Sequence, residues 1–450
     1  MTDKQIEKDG DPMKIKTETM SYEKVLSLPK AIPFLPRHPD PLLRAAVRAA
    51  SASELKAVHF RHREIGMERL RADEPCLILM NHSCFLDLKI AFTIFRHRPF
   101  NIVCTSDGFV GKKGLMRRLG CIPTKKFVPE LDLLRDIQYC LRTLKTSVLM
   151  FPEASYSFDG TATPLPDSLG RCLKHLKAPV VMVRTHGAFL RDPLYNSLQL
   201  RDVDVSADVE YLLSPEEIAQ KSTEELNGIL RQCFTFDYFR WQKENRILVD
   251  EPFRADHLNR VLYQCPHCGV EGHMTGCGIT LRCNACGKEY ELTEEGNMRA
   301  KTGETEISHI PDWYAWEREQ VRKAIADGTY RLDVPVKIGM MTDYRAIYMV
   351  GEGRLVHTSD GFTLTGCGGA LEYSQKPLAS YSLYADYYWY ELGDMICIGT
   401  RDILYYCFPQ SGGDVVAKTR LAAEELFRMA KHRTRTGSTG DARGAAPNPA

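Results

Sequence analysis

The sequence predicts an α/β domain, then a small cysteine-rich module, then an antiparallel β domain closed by a helix. Three observations carry this. Two short uncharged apolar runs, residues 77–80 and 148–151, stop abruptly in polar clusters. Cys265-Pro266-His267-Cys268 and Cys283-Asn284-Ala285-Cys286 set thiols in two close pairs. Beyond Pro311, short runs rich in Tyr, Val and Ile alternate with Gly and Asp turns.

Four uncharged apolar residues in a row read as a strand covered on both faces, and in open α/β sheets ligands bind where such strands stop. The run Leu77-Ile78-Leu79-Met80 stops at Asn81, His82, Ser83, Cys84, Phe85, Leu86 and Asp87. A neutral imidazole accepts a proton near pH 7, and a carboxylate on its other nitrogen fixes the tautomer and steadies the cation that forms. His82 and Asp87 would lie roughly 140° apart on a regular helix, so they cooperate only if the turn between them is irregular. The alternative makes Asp87 a cap and His82 a satisfied core histidine. Residues 148–151 repeat the layout, ending at Glu153, Ser155, Tyr156 and Ser157, and two such strand ends suggest two walls of one cleft.

In chain order, residues 1–35 read as an N-terminal extension. Its first 20 residues are charged and lack the apolar core of a signal peptide, so secretion is not expected. Residues 41–58 read as a helix with Leu42, Leu43, Ala46, Val47 and Ala50 on one side, packing on its own domain or resting on a bilayer. The segment from Gly111 to Gly120 sets Lys112, Lys113, Arg117 and Arg118 among glycines, as a solvated turn or a phosphate cradle. A helix over residues 131–145 places Leu133, Leu134, Ile137, Leu141 and Leu144 on a core stripe. Ser214-Pro215-Glu216-Glu217 and Ser222-Thr223-Glu224-Glu225 are helix starts. The apolar positions from Leu226 to Trp241 then pack on the first sheet, and a linker follows at about residues 250–260.

With 44% apolar and 26% charged residues and a formal net charge of +1, no global field draws in nucleic acid, and none is expected as a partner. No apolar run reaches the ~18 residues that span a bilayer. The 15 cysteines are scattered through apolar runs, apart from one dense group, which fits a reducing cytosol. The protein is therefore expected to be cytoplasmic and, if its substrate is a lipid, to lie on the membrane surface.

The two strand-end motifs together resemble the glycerophospholipid acyltransferase family, which includes the 1-acylglycerol-3-phosphate acyltransferases. The family's first block reads Asn-His, four residues, Asp; Asn81, His82 and Asp87 stand in those places. Its second block is similar to residues 120–126, from Gly120 to Lys125 and Lys126, and its fourth to residues 178–183. Its third block runs Phe-Pro-Glu-Gly-Thr-Arg, where this chain has Phe151-Pro152-Glu153-Ala154-Ser155-Tyr156. The resemblance implies an acyltransferase domain over residues 36–255, with His82 as base and Asp87 as its orienter. It also implies Asn81, Lys125, Lys126, Glu153 and Ser155 as substrate-binding residues. The donor would be a thioester, acyl-CoA or acyl carrier protein, and the acceptor a lysophospholipid-like hydroxyl at a membrane surface, 1-acylglycerol-3-phosphate first. Lys126 stands where the family has Arg, and Tyr156 where the third block has Arg, so any acceptor phosphate meets point charges rather than a planar fork. A rival enzyme reading makes Cys84 an acyl-carrying nucleophile.

The paired cysteines resemble a zinc ribbon over residues 260–298, with Cys265, Cys268, Cys283 and Cys286 around one structural zinc. His267, His273 and Cys277 lack the paired spacing. Residues 305–432 read as a β domain with a terminal helix from about residue 416, loosely similar to a pleckstrin-homology-like module, and residues 433–450 as a disordered tail. A non-catalytic adaptor, using the ribbon and β domain to hold a membrane or protein partner, is the alternative from another class.

Overall fold

The computed structural model describes residues 14–128, 131–410 and 415–437. The first sheet has seven strands in the order Arg61–Ile65, Ser206–Leu213, Val180–His186, Leu77–Met80, Ser147–Met150, Phe100–Thr105, Cys121–Thr124. All pairings are parallel except that between Val180–His186 and Ser206–Leu213. The central strands Leu77–Met80 and Ser147–Met150 are buried throughout because helices cover both faces, which is why they read as continuous apolar runs. Both expected capping boxes are present, on Pro215–Gln220 and Thr223–Phe234. The stripe from Leu133 to Leu144 packs into the core under one face of the sheet.

The helix Pro41–Ala57 departs from expectation. Leu42, Ala46 and Ala50 are exposed, and the buried side carries Arg44, Ser51 and Leu55. Arg44 is admitted because its Nη2 donates to the carbonyls of Phe95 (3.1 Å) and Arg98 (2.9 Å), while its guanidinium lies 4.6 Å from the ring centre of Phe100. A buried arginine of this kind hides the true inner face from any hydropathy pattern.

A four-stranded antiparallel sheet, Met274–Cys277, Thr280–Cys283, Glu289–Leu292 and Met298–Ala300, forms the cysteine-rich module. Residues 250–260 do not run free as a linker. Arg254 is buried with its Nε donating to Leu292 O (2.6 Å), and Ala255 and Leu258 are core residues against the module. The segment after Pro311, expected as strands, begins with a helix, Ile310–Ala326, whose inner side is Ile310, Trp313, Tyr314, Glu317, Val321 and Ile325. Its Trp and Tyr imitate strand composition, and the buried Glu317 breaks the apolar stripe. That carboxylate is explained by the module, since its Oε1 accepts from Gln264 N at 2.8 Å.

The C-terminal β-rich region is a sheet in the order Leu371–Gln375, Gly361–Gly366, Ile347–Thr358, Leu332–Met341, Leu404–Pro409, Gly393–Gly399, Tyr384–Trp389, with antiparallel pairing throughout this path. The N-terminal extension joins it, because Thr17–Thr19 pairs in parallel with residues 347–349. The terminal helix Val415–Gly437 runs through Arg433 to Gly437, into the segment expected as a disordered tail. The rest of that tail and residues 1–13 lie outside the described residues.

Trp313 is fully buried, its Nε1 donates to Gln264 O (3.0 Å), and its ring meets Tyr290 edge-on at 5.0 Å. It ties the cysteine-rich module to the helix Ile310–Ala326. Trp313→Ala is expected to cost about 3–5 kcal/mol, the range for an aromatic removed from a core. Thermal unfolding should show this loss, and limited proteolysis should find the module cut first.

Candidate active site

The strand Leu77–Met80 ends against its neighbour Val180–His186, and Asn81 locks the two. Its Oδ1 accepts from Thr185 N (2.9 Å) and its Nδ2 donates to Tyr238 OH (2.7 Å). The chain then makes an irregular turn before the helix Leu86–Ile94. This turn brings Asp87 Oδ2 to 3.0 Å from His82 Nδ1, 2.7 Å from Ser83 N and 3.1 Å from Cys84 N. The same carboxylate oxygen thus gathers the amides of the turn and fixes the imidazole. His82 is sandwiched between Phe151, 4.2 Å centre to centre, and Tyr156 at 4.0 Å. With Nδ1 turned to the carboxylate, Nε2 is the nitrogen left to take a proton.

Burial, and then the nearby positive charge of Lys126, push the His82 pKa well below its usual value, so the imidazole is neutral at pH 7. Burial pushes the Asp87 carboxyl upward, and the amides of Ser83 and Cys84 oppose this by favouring its ionised form.

Glu153 joins the second strand end to the first. Its Oε2 accepts from His82 N (2.9 Å) and its Oε1 from Thr163 N (2.8 Å). It holds backbone in place and is itself buried. The following residue, Ala154, sits at φ +54°, a conformation that glycine adopts without strain. Ser155 accepts from Arg420 Nη1 at 3.3 Å, and Lys126 Nζ lies 4.2 Å from the ring centre of Tyr384.

The structure therefore brings His82, Asp87, Glu153, Ser155 and Lys126 to one place. Asn81 lies behind it, as a bolt between strands. Lys125 points away, its Nζ bonded to Arg401 O in the β-rich region. The basic turn also faces elsewhere: Lys113 and Arg117 lie over Phe34, 5.2 and 4.6 Å from its ring centre, and Arg118 pairs with Asp40 (2.7 Å). Tyr238, Tyr384 and Arg420 belong to the neighbourhood although they lie 150 to 340 residues away in sequence. Of these, only the aromatic cluster around Tyr238 left a trace in the sequence, as apolar packing.

The thiol of Cys84 is buried, and its pKa is pushed well above the usual value by that burial and by the carboxylates of Asp192 and Asp87. That is the wrong direction for a nucleophilic thiolate.

In the cysteine-rich module, the four sulfurs of Cys265, Cys268, Cys283 and Cys286 lie within 4.8 Å of one another. The pairs Cys265–Cys286 and Cys268–Cys283 are each 3.8 Å apart. A tetrahedron with Zn–S bonds of ~2.3 Å has edges of about 3.8 Å, so the donor set fits a closed zinc site. His267 pairs with Glu306 instead (2.8 Å).

Residues 61–186 match the family described as Acyltransferase. Over that segment the chain is similar to acyltransferase domains. No curated protein matches the chain. Among solved structures it is similar to the 1-acyl-sn-glycerophosphate (LPA) acyltransferase, PlsC, from Thermotoga maritima, at 13% identity and a TM-score of 0.35, over 42% of this chain and 76% of that one.

Because Lys126 opposes the imidazolium, Lys126→Gln is expected to raise the pKa of His82. The wild-type ring should stay neutral well below pH 6.5, while in the variant protonation begins at higher pH. NMR titration of labelled histidine, with His82→Asn identifying the signal, measures both.

Proposed function

We propose that this protein is an O-acyltransferase moving a fatty acyl group from an acyl thioester to the hydroxyl of a lysophospholipid-like acceptor, with 1-acylglycerol-3-phosphate as first choice. The observation that carries the reading is the 3.0 Å contact between His82 Nδ1 and Asp87 Oδ2, which leaves Nε2 as a neutral base in a largely water-free setting. The acceptor hydroxyl gives its proton to His82 Nε2 as its oxygen attacks the thioester carbonyl. The new C–O bond forms, the C–S bond breaks, and the proton passes from His82 to the leaving sulfur. Asp87 holds the tautomer and steadies the transient imidazolium, while Glu153 fixes the backbone at His82. The ordered dyad supports catalysis over a pure adaptor role.

No helix of the described residues is long and apolar enough to cross a membrane. Ile32, Leu35, Leu42 and Leu115 are exposed apolar side chains near Lys112, Lys113 and Arg118, and they support a peripheral seat on an anionic bilayer in the cytoplasm. The sulfur geometry supports a structural zinc holding the ribbon. The seven-strand antiparallel order with its terminal helix supports a pleckstrin-homology-like reading of the C-terminal region.

His82→Ala should abolish acyl transfer with melting behaviour unchanged, whereas Asp87→Asn should leave a measurable remnant because part of the geometry survives. Full activity of His82→Ala in a radiolabelled acyl-CoA assay with lysophosphatidate would end the catalytic reading. Cys84→Ser should remain active.

Elemental analysis of the purified chain should find one zinc, and Cys283→Ser with Cys286→Ser should remove it. Its loss should loosen the ribbon locally, as seen in amide exchange over residues 263–300.

A further inference from the structure

The two chain neighbours of His82 meet at a single hydroxyl. Tyr238 OH accepts from Asn81 Nδ2 (2.7 Å) and is in close hydrogen-bonded contact with Ser83 Oγ. It donates to Thr185 O (3.1 Å) and lies 3.2 Å from Thr185 Oγ1. One phenol therefore ties the residues on either side of the base to the end of the strand Val180–His186. Ser83 N is also one of the amides on Asp87 Oδ2 (2.7 Å), so a shift of Ser83 is felt at the carboxylate that orients His82.

The helix that delivers this residue, Tyr238–Glu244, lies outside the segment similar to acyltransferases. Its start is fastened to the second wall of the cleft. Tyr238 N donates to Gly160 O (2.9 Å), Gly160 N to Ser157 Oγ (3.0 Å), and Ser157 N to His82 O (3.2 Å). A circuit of hydrogen bonds thus leaves the carbonyl of His82, passes through residues 157–160 and Tyr238, and returns at Asn81 and Ser83. The close approach of this helix requires Gly160, at φ +83°, where an added Cβ would lie 3.1 Å from the rings of Phe189 and Phe239.

Aromatic packing alone does not call for the hydroxyl. The Tyr238 ring is 3% exposed, with Phe236 at 4.4 Å and Phe189 at 5.4 Å centre to centre, a setting that phenylalanine would fill. A buried O–H costs free energy unless it finds partners. Here the partners are Asn81, Ser83 and Thr185, which meet immediately behind the base.

We propose that Tyr238 is a positioning residue for acyl transfer, whose hydroxyl fixes the backbone carrying His82 through Asn81 and Ser83 without touching substrate. The inference rests on the acyl-transfer reading of His82. It gives a helix beyond residue 186 a part in placing the base.

The test uses the full chain with Tyr238→Phe, which keeps the ring and removes the hydroxyl. Ser83→Ala removes one spoke of the clamp and serves if Tyr238→Phe does not fold. In assays with oleoyl-CoA and lysophosphatidate, corrected to folded protein, kcat of Tyr238→Phe should fall about 10- to 100-fold with KM within about twofold of wild type, the pattern of a reacting group misplaced by about an ångström. Ser83→Ala should lower kcat about 2- to 10-fold, the scale of one neutral hydrogen bond. The double variant should lose less than the product of the two, because both act through one contact. A lower melting midpoint with kcat unchanged, a raised KM with kcat unchanged, or losses that simply multiply would overturn the proposal.

NMR of labelled histidine separates the clamp from the underlying reading. The His82 ring lies between the rings of Phe151 and Tyr156, so its proton shifts report its placement, with His82→Asn assigning the signal. If the chain transfers no acyl group, shifts that move in Tyr238→Phe still support the clamp. Shifts indifferent to Tyr238 sink it, while the role of His82 stands or falls on the activity assay.

Discussion

One carboxylate oxygen organises the site. Asp87 Oδ2 receives the amides of Ser83 and Cys84 and the imidazole of His82, so the turn that ends the strand, the start of the next helix and the orientation of the base have a single anchor. Without it, two amides would be buried without acceptors at the mouth of the sheet, at a cost of roughly 1–3 kcal/mol each. The ring would also lose its preferred tautomer. Burial holds the His82 imidazole neutral at pH 7. The same burial raises the energy of every charge nearby, which is why Asp87 and Glu153 accept hydrogen bonds from backbone amides.

The site is closed by parts of the chain distant in sequence. The β-rich region covers the edge around Lys126 with Tyr384 and Trp389, and its terminal helix reaches Ser155 through Arg420. The ribbon and the helix Ile310–Ala326 form the brace that makes this closure rigid, through Trp313, Glu317 and the contact of Gln242 Nε2 with Glu294 O (2.8 Å). The N-terminal extension returns to add a strand to the β-rich sheet, so the chain is stitched across the seam from both ends. The four-cysteine cluster of the cysteine-rich module offers a donor set that could hold a metal ion, and a segment that small has little apolar burial of its own to keep its shape.

The strand ends at Met80 and Met150, the capping boxes and the cysteine pairs were legible because each follows from local chemistry: continuous burial, a side chain answering a free amide, or paired thiolate spacing. The helix Ile310–Ala326 was missed because a buried Glu317 and three aromatics disguise its period. The inner face of Pro41–Ala57 was misread because a buried arginine sits where an apolar residue is expected. Both errors come from polar groups whose partners are distant in sequence, and local patterning cannot reveal such partners.

The sequence by itself determined the pairing of His82 with Asp87, the sheet that presents it and the four-cysteine cluster, since these depend on residues adjacent along the chain or on spacing. Only the tertiary structure decided which bases face His82. Lys125 and the turn from Lys112 to Arg118 are as basic in sequence as Lys126, yet they are spent on a carbonyl, on Phe34 and on Asp40. Arg420, which carries no signal among 59 lysines and arginines, is placed at Ser155 by the docking of a helix 265 residues away. Charge is a property of a residue, but its position relative to a reacting atom is a property of the packed whole, because burial and orientation are set by neighbours that the linear order does not name.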